Sequence, residues 1–171
     1  MHRSALRLVA LLAPIALASW ASAESTVTIT KTHLCCNSCV TGVTKAVKPT
    51  GATAKCDKDA QTITITAADE ATAQKAVDAL VTAGYYGKAD GAKMVDDSGA
   101  KAGTAQSVEV SGIHNCCKKC TTAINEVIKK AGGSGDVAAK ATTFTVTGPV
   151  DPVKLTEAFN DAGFSVKANA K

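Results

Sequence analysis

The sequence predicts an α+β protein built from two copies of one β-α-β-β-α-β unit. Two observations lead to this prediction. The first is an internal repeat, because a shift of 81 residues (114 less 33) places the motif His-x-Cys-Cys-x-x-Cys at 33–39 onto its second occurrence at 114–120. The second is that each motif lies between a stretch of alternating apolar and polar residues and a stretch with helical apolar spacing.

Alternation of apolar and polar residues predicts the strands. "VTITKT" and "VEVSG" precede the two motifs, and "TITIT" at 62–66 corresponds to "TFTVT" at 143–147. A further, more variable strand is expected before "TITIT" and another before "TFTVT". Gly148 and Pro149 predict a turn. Short final strands near 86–89 and 165–168 complete the two units.

Apolar residues three and four positions apart predict two helices in each unit. The first helix begins at the motif and ends near 49–51 in copy one and near 132–135 in copy two. The closing helix of copy two starts with Asp151 as its cap and Pro152 at its first position. Its copy-one counterpart ends at Gly84. The predicted buried positions are Val43, Ala46, Val47, Ala76, Ala79, Leu80, Ala83, Ile124, Val127, Ile128, Leu155, Ala158, Phe159 and Ala162.

Two helices on one face of a four-stranded antiparallel sheet form a ferredoxin-like sandwich. The predicted fold is therefore two ferredoxin-like β-α-β-β-α-β sandwiches in tandem, at 24–90 and 107–171. Between them, the segment 91–106 is rich in glycine, alanine and charge, and we interpret it as a flexible linker.

The segment 1–23 has the pattern of a secretory signal peptide. Arg3 and Arg7 accompany an apolar run over 8–18, and "ASA" at 21–23 has the A-x-A form of a cleavage site. The run is shorter than a membrane-spanning helix requires. We expect cleavage near Ala23 and a periplasmic or secreted mature chain without a membrane span.

The remaining composition argues against several functions. After residue 23, 17 lysines and arginines (19 less Arg3 and Arg7) stand against 15 acidic residues, and aromatic residues are few, so nucleic acid is not an expected partner. No catalytic Ser-His-Asp set, carboxylate pair or phosphate loop stands out, so an enzyme is not expected.

The six motif cysteines are the candidate functional residues. Two thiolates at Cys-x-x-Cys spacing, at the start of a helix, can close on one soft metal ion, because the helix N-terminus favours their charge. A third cysteine and a histidine give the donor set of a closed zinc site. Adjacent cysteines converge only if the loop bends sharply. The candidate ligands, in decreasing order of expectation, are Cys36, Cys39, Cys117 and Cys120, then Cys35 and Cys116, then His33 and His114.

The unit resembles the heavy-metal-associated domain of copper chaperones, metal-transporting ATPases and periplasmic mercury-binding proteins. In that family, Cys-x-x-Cys lies between the first strand and the first helix, and the second helix ends with A-G-[YF]. Here these are Cys36 and Cys39 with "AGY" at 83–85, and Cys117 and Cys120 with "AGF" at 162–164. The family usually has Gly-Met-x before its first cysteine, where this chain has His-x-Cys.

The expected function is sequestration or transfer of Cu(I) or zinc, about one ion per domain, with a metal-donor or metal-acceptor protein as a potential partner. Two alternatives remain open. Cys-x-x-Cys at a helix start is also a thiol-disulfide redox motif, and in an oxidising compartment the cysteines can serve as disulfide staples of a structural or interaction module without metal.

Cys56 has no counterpart in the repeat and is expected to be a packing thiol.

Overall fold

A computed structural model describes residues 23–171, and within them the chain is an α+β structure with two antiparallel sheets and four α-helices. All but the last residue of the predicted signal peptide lies outside the described residues. Within them, no helix combines the length and the apolarity that crossing a membrane would require. We call 24–90 the first half and 107–171 the second half.

The first half contains four strands in the order β2-β3-β1-β4, with all neighbours antiparallel. Its chain order is β-α-β-β-α-β, as predicted. The short strand expected near 86–89 is confirmed as β4. The elements are β1 (Ser25–Thr30), α1 (Asn37–Val47), β2 (Thr53–Asp57), β3 (Thr62–Ala67), α2 (Glu70–Thr82) and β4 (Lys88–Asp90).

The second half contains three strands in the order β6-β5-β7, again antiparallel. Asp151 caps α4 by accepting hydrogen bonds from the backbone of Val153 and Lys154, and Pro152 occupies its first turn, as predicted. The elements are β5 (Ala105–Ser111), α3 (Lys118–Lys130), β6 (Thr143–Val150), α4 (Pro152–Asp161) and β7 (Lys167–Ala170).

The prediction of a fourth strand in the second half is wrong for the described residues. Between α3 and β6, only an isolated bridge between Ser134 and Thr147 pairs with the sheet. Gly132, Gly133 and Gly135 fall in this segment, and glycine weakens a strand because it loses more backbone entropy on ordering than other residues.

The predicted turn at Gly148 and Pro149 is also wrong, because both residues lie within β6. The register of β5 and β6 shifts there, since Ser107 pairs with Thr147 whereas Ala105 pairs with Val150. Two residues therefore face one across this part of the sheet, which is a β-bulge. Glycine with positive φ and a proline without a donor fit a bulge without loss of a ladder hydrogen bond.

The segment 91–106, which composition predicts to be flexible, makes defined contacts with the second sheet. The backbone N–H of Ala168 donates to the Ser98 carbonyl at 3.0 Å, and Lys167 Nζ lies 2.5 Å from Asp97 Oδ2. Ser98 is buried. This segment therefore lies along β7 rather than extending away from the sheets.

Phe159 of α4 lies in the core of the second half, and replacing it tests the packing of that core. Its side chain is fully buried, and its ring lies 6.3 Å from that of Phe144. We expect Phe159→Ala to lower the free energy of unfolding by about 3–5 kcal/mol, because lost transfer energy and a residual cavity add together. Urea unfolding followed by circular dichroism measures the change. A loss below about 1 kcal/mol would contradict this packing.

Candidate metal centre

Each motif lies at the start of a helix. Cys36 and Cys117 occupy the N-cap positions of α1 and α3 with extended backbone, φ −163° and −154°, and neither makes a side-chain capping hydrogen bond. Cys39 and Cys120 follow in the first turns and are fully buried. The cap thiols thus remain free to bind another group beside helix N-termini, where negative charge is favoured.

The six motif cysteines meet in one place, which we call the thiol cluster. Four Sγ–Sγ distances between cysteines of different halves are 3.4–3.6 Å, and four within one half are 3.6–3.9 Å. The two motifs, far apart in sequence, therefore face each other. The cluster consists of Cys35, Cys36, Cys39, Cys116, Cys117 and Cys120.

The first cysteines of the two motifs also reach the cluster. Cys35 Sγ lies 3.6 Å from Cys39 Sγ, and Cys116 Sγ lies 3.8 Å from Cys120 Sγ. Both loops therefore make the bend that convergence of all three thiols requires. All seven cysteines of the chain are free thiols in the structure.

The two motif histidines, His33 and His114, lie at the cluster and pack on the other half. The His33 ring stacks on Phe164 at a centroid distance of 4.4 Å, and the His114 ring stacks on Tyr85 at 4.3 Å. A ring nitrogen of His114 lies within 4.8 Å of three cluster thiols, and one of His33 lies within 4.8 Å of two. All eight residues predicted as ligands are thus brought together.

Two glycines allow this close contact between the halves. The Gly163 carbonyl accepts hydrogen bonds from the backbone of His33 and Tyr86 at 3.3 and 3.2 Å, and the Gly84 carbonyl accepts one from Ser165 at 3.1 Å. Gly84 and Gly163 have φ of +86° and +84°, a conformation that L-residues rarely adopt. A Cβ atom on either would lie 2.3 Å from a backbone nitrogen of the other half.

Hydrogen bonds and burial separate the pKa values of the cluster thiols. The pKa of Cys39 lies far below its ordinary value, chiefly because its thiol is hydrogen-bonded with the Cys120 thiol. A hydrogen bond with His114 lowers this pKa further, and together these effects outweigh burial, which raises it. Burial, assisted by a hydrogen bond with Cys117, raises the pKa of Cys35 to about 12. The cluster thus combines thiols of lowered and raised pKa, and binding of a metal ion, which requires thiolates, would release protons from it.

Three residues at the centre were missed by the sequence interpretation. The Tyr85 hydroxyl donates to the Cys39 carbonyl at 2.9 Å and so fixes the first turn of α1. Phe164 is its buried counterpart in the second half. The buried Asn115 amide donates to the carbonyls of Ala138 and Ala141 at 3.2 and 3.0 Å. The repeated aromatic after Ala-Gly was a usable signal for the first two, whereas Asn115 had none.

Cys56 lies outside the cluster, on β2, opposite Ile63 of β3. It is partly buried against the core, as expected of a packing thiol, and burial raises its pKa. This thiol is therefore suited as a control for experiments on the cluster.

The donor set of the centre is six sulfurs and two imidazoles, in groups that can hold a metal ion. Thiolates select soft and borderline transition metals, and imidazole adds affinity for zinc and copper. Comparison of the chain with protein families, curated proteins and solved structures finds no match in any of the three.

Proposed function

We propose that this chain is an exported heavy-metal-binding protein that sequesters or transfers Cu(I) or zinc. The observation that carries the proposal is the convergence of six thiols and two imidazoles from both halves on one centre. Packing together so many groups that ionise or donate protons is costly unless each gains a partner, and a metal ion satisfies several of them at once.

The proposal includes the family and the domain organisation. The β-α-β-β-α-β order of the first half, with its motif between β1 and α1, supports a heavy-metal-associated domain of ferredoxin-like fold. The second half has the same motif placement with one strand fewer. The signal-like segment 1–23 supports export. The chain is then a tandem of two such domains at 24–90 and 107–171, joined by 91–106.

Transfer would proceed by ligand exchange and requires no enzymatic activity. Cys39 and Cys120 are buried, whereas the other four motif cysteines are partly exposed: Cys35, Cys36, Cys116 and Cys117. A thiolate or imidazole of a donor or acceptor protein would therefore enter at one of these four. The buried pair would release the ion last.

A second candidate is thiol-disulfide exchange, and one specific feature favours it. Burial opposes ionisation of Cys117, but hydrogen bonds from the backbone of Cys120 and the thiol of Cys35 outweigh it and lower the pKa of Cys117 to about 6. A thiolate at neutral pH is the attacking species in such exchange. Turnover of a model disulfide substrate, lost in Cys117→Ser, would support this candidate over metal binding.

Metal analysis tests the proposed function. Protein exported from its host and purified without oxygen is expected to contain about two equivalents of copper or zinc per chain. Cys39→Ser with Cys120→Ser should weaken metal binding by more than about 100-fold, since even the outer partners of metal ligands contribute 10- to 100-fold. Inductively coupled plasma mass spectrometry and chelator competition measure both quantities.

The matched control is Cys56→Ser, which removes a partly buried thiol outside the cluster and should leave metal content unchanged. Metal-free protein with its motif cysteines joined in disulfides would refute metal binding and favour a stapled structural module.

A further inference from the structure

Two sets of three thiols have all three of their Sγ–Sγ distances at 3.9 Å or less, and each set combines both halves. Contacts of 3.6 Å between Cys35 and Cys39 and 3.8 Å between Cys116 and Cys120 join the two sets into one cluster. In one set, Cys36, Cys39 and Cys116 are separated by 3.7, 3.5 and 3.6 Å. Two of these cysteines are the Cys-x-x-Cys pair of the first half, and the third precedes the pair of the second half. This set is therefore completed across the boundary between the halves.

The other set repeats the arrangement with the halves exchanged. Cys117 and Cys120 are 3.9 Å apart, and each lies 3.4 Å from Cys35. A metal–thiolate distance of about 2.3 Å places the sulfurs of a tetrahedral site about 3.8 Å apart and those of a linear two-ligand site about 4.6 Å apart. The observed spacing fits ions with three or four ligands.

Each motif histidine lies beside two thiols of one set. A ring nitrogen of His114 lies within 4.8 Å of Cys39 and Cys116 and also of Cys120, and one of His33 lies within 4.8 Å of Cys35 and Cys120. Among the described residues, His33 Nε2 is also a buried nitrogen without a hydrogen-bond partner. A buried polar atom without a partner is costly, and coordination to an ion at this position would satisfy it.

Sets confined to one loop rely on a pair of adjacent cysteines. The loop bends enough to bring Cys35 and Cys36 each close to Cys39, at 3.6 and 3.7 Å. Adjacent residues on extended backbone nevertheless start on opposite sides of the chain, and the sulfurs of Cys35 and Cys36 are grouped only within 4.8 Å. Cys116 and Cys117 are likewise adjacent, with extended backbone at Cys117. In each set that spans the halves, by contrast, the third thiol approaches from the facing loop.

On the basis of the proposed metal-binding function, we infer that the protein holds two ions in exchanged sites. The His-x-Cys prefix of each half completes the Cys-x-x-Cys pair of the other half. We assign one site to the thiols of Cys36, Cys39 and Cys116 with His114, which lies near Cys39 and Cys116. We assign the other to the thiols of Cys117, Cys120 and Cys35 with His33, which lies near Cys35 and Cys120. Each has the three-cysteine, one-histidine donor set of a tetrahedral divalent ion such as zinc. Metal then binds the two halves to each other.

Triple variants of the full chain distinguish exchanged sites from sites within one loop. In the background Cys36→Ser with Cys39→Ser, only the pair at Cys117 and Cys120 remains. Adding Cys35→Ser should then weaken Zn²⁺ binding by more than about 100-fold, and adding Cys116→Ser should change it less than about threefold. Co²⁺ provides a second readout, because its sulfur-to-metal charge-transfer intensity should fall from three thiolates to two only with Cys35→Ser.

The reverse pattern, with loss on Cys116→Ser and none on Cys35→Ser, would establish sites within one loop and overturn the inference. Equal losses in both variants, or none in either, would also overturn it. In the mirror background, Cys117→Ser with Cys120→Ser, adding Cys116→Ser should weaken Zn²⁺ binding and adding Cys35→Ser should not. Circular dichroism shows which variants fold, and the mirror background provides the test where a variant of the first background does not fold. Failure of the unaltered chain to bind Zn²⁺, Co²⁺ or Cu(I) would instead refute the proposed function itself.

Discussion

Replacing Gly84 or Gly163 by alanine is expected to lower the free energy of unfolding by about 2–5 kcal/mol and to separate the halves. Two costs add at each position. A positive φ costs an L-residue about 1–2 kcal/mol, and forcing a methyl group into a filled space costs about 1–3 kcal/mol. The new Cβ would lie 2.3 Å from a backbone nitrogen, of His114 for Gly84 and of His33 for Gly163.

Two other glycines provide matched controls. Gly51 and Gly132 have φ of +85° and +78°, but a Cβ atom on either would meet nothing within 4 Å. Gly51→Ala and Gly132→Ala should therefore cost only the conformational term, about 1–2 kcal/mol. The difference between the two pairs isolates the close contact between the halves.

Urea unfolding gives the stability of all four variants, and Co²⁺ spectra report whether the cluster survives. Gly84→Ala and Gly163→Ala should weaken Co²⁺ binding as well, because both glycines allow the two motif loops to lie close to each other. Equal costs in the test and control pairs, with unchanged Co²⁺ spectra, would contradict the contact between the halves.

Loading with Zn²⁺ is expected to raise the melting temperature by about 10–20 °C. An ion present at 100 times its dissociation constant stabilises the folded state by about 2.7 kcal/mol, so two ions contribute about 5 kcal/mol. For a chain of this size, each kcal/mol corresponds to about 2–4 °C. The effect is large because each half is small and has a thin stability margin on its own.

Differential scanning calorimetry of reduced protein, with and without Zn²⁺, measures this shift. If each ion takes ligands from both halves, as we propose, the loaded protein should unfold in one transition even where the metal-free protein shows two. The variant with all six motif cysteines changed to serine is the control and should not respond to Zn²⁺. Two separate transitions in the loaded protein would argue against ions shared by the halves.

Much of the local structure was predictable because its signals lie close together in the sequence. Alternation gave β1, β3, β5 and β6, and the Asp151–Pro152 pair gave the start of α4, as the structure confirms. The wrong predictions concern two segments that contain glycine or proline, where residue type and the apolar–polar pattern indicate different structures. The glycine-rich segment after α3 forms only an isolated bridge, and Gly148 and Pro149 form a bulge within β6 rather than a turn.

By itself, the sequence determined the repeated motif with a strand before it and a helix after it, and it predicted the eight candidate ligands, because repeat and spacing are properties of one linear chain. The tertiary structure decided that the two motifs face each other and that each histidine stacks on an aromatic residue of the other half. That juxtaposition joins residues about 80 positions apart. It depends on how closely two backbones approach at Gly84 and Gly163, and no local pattern encodes such an approach.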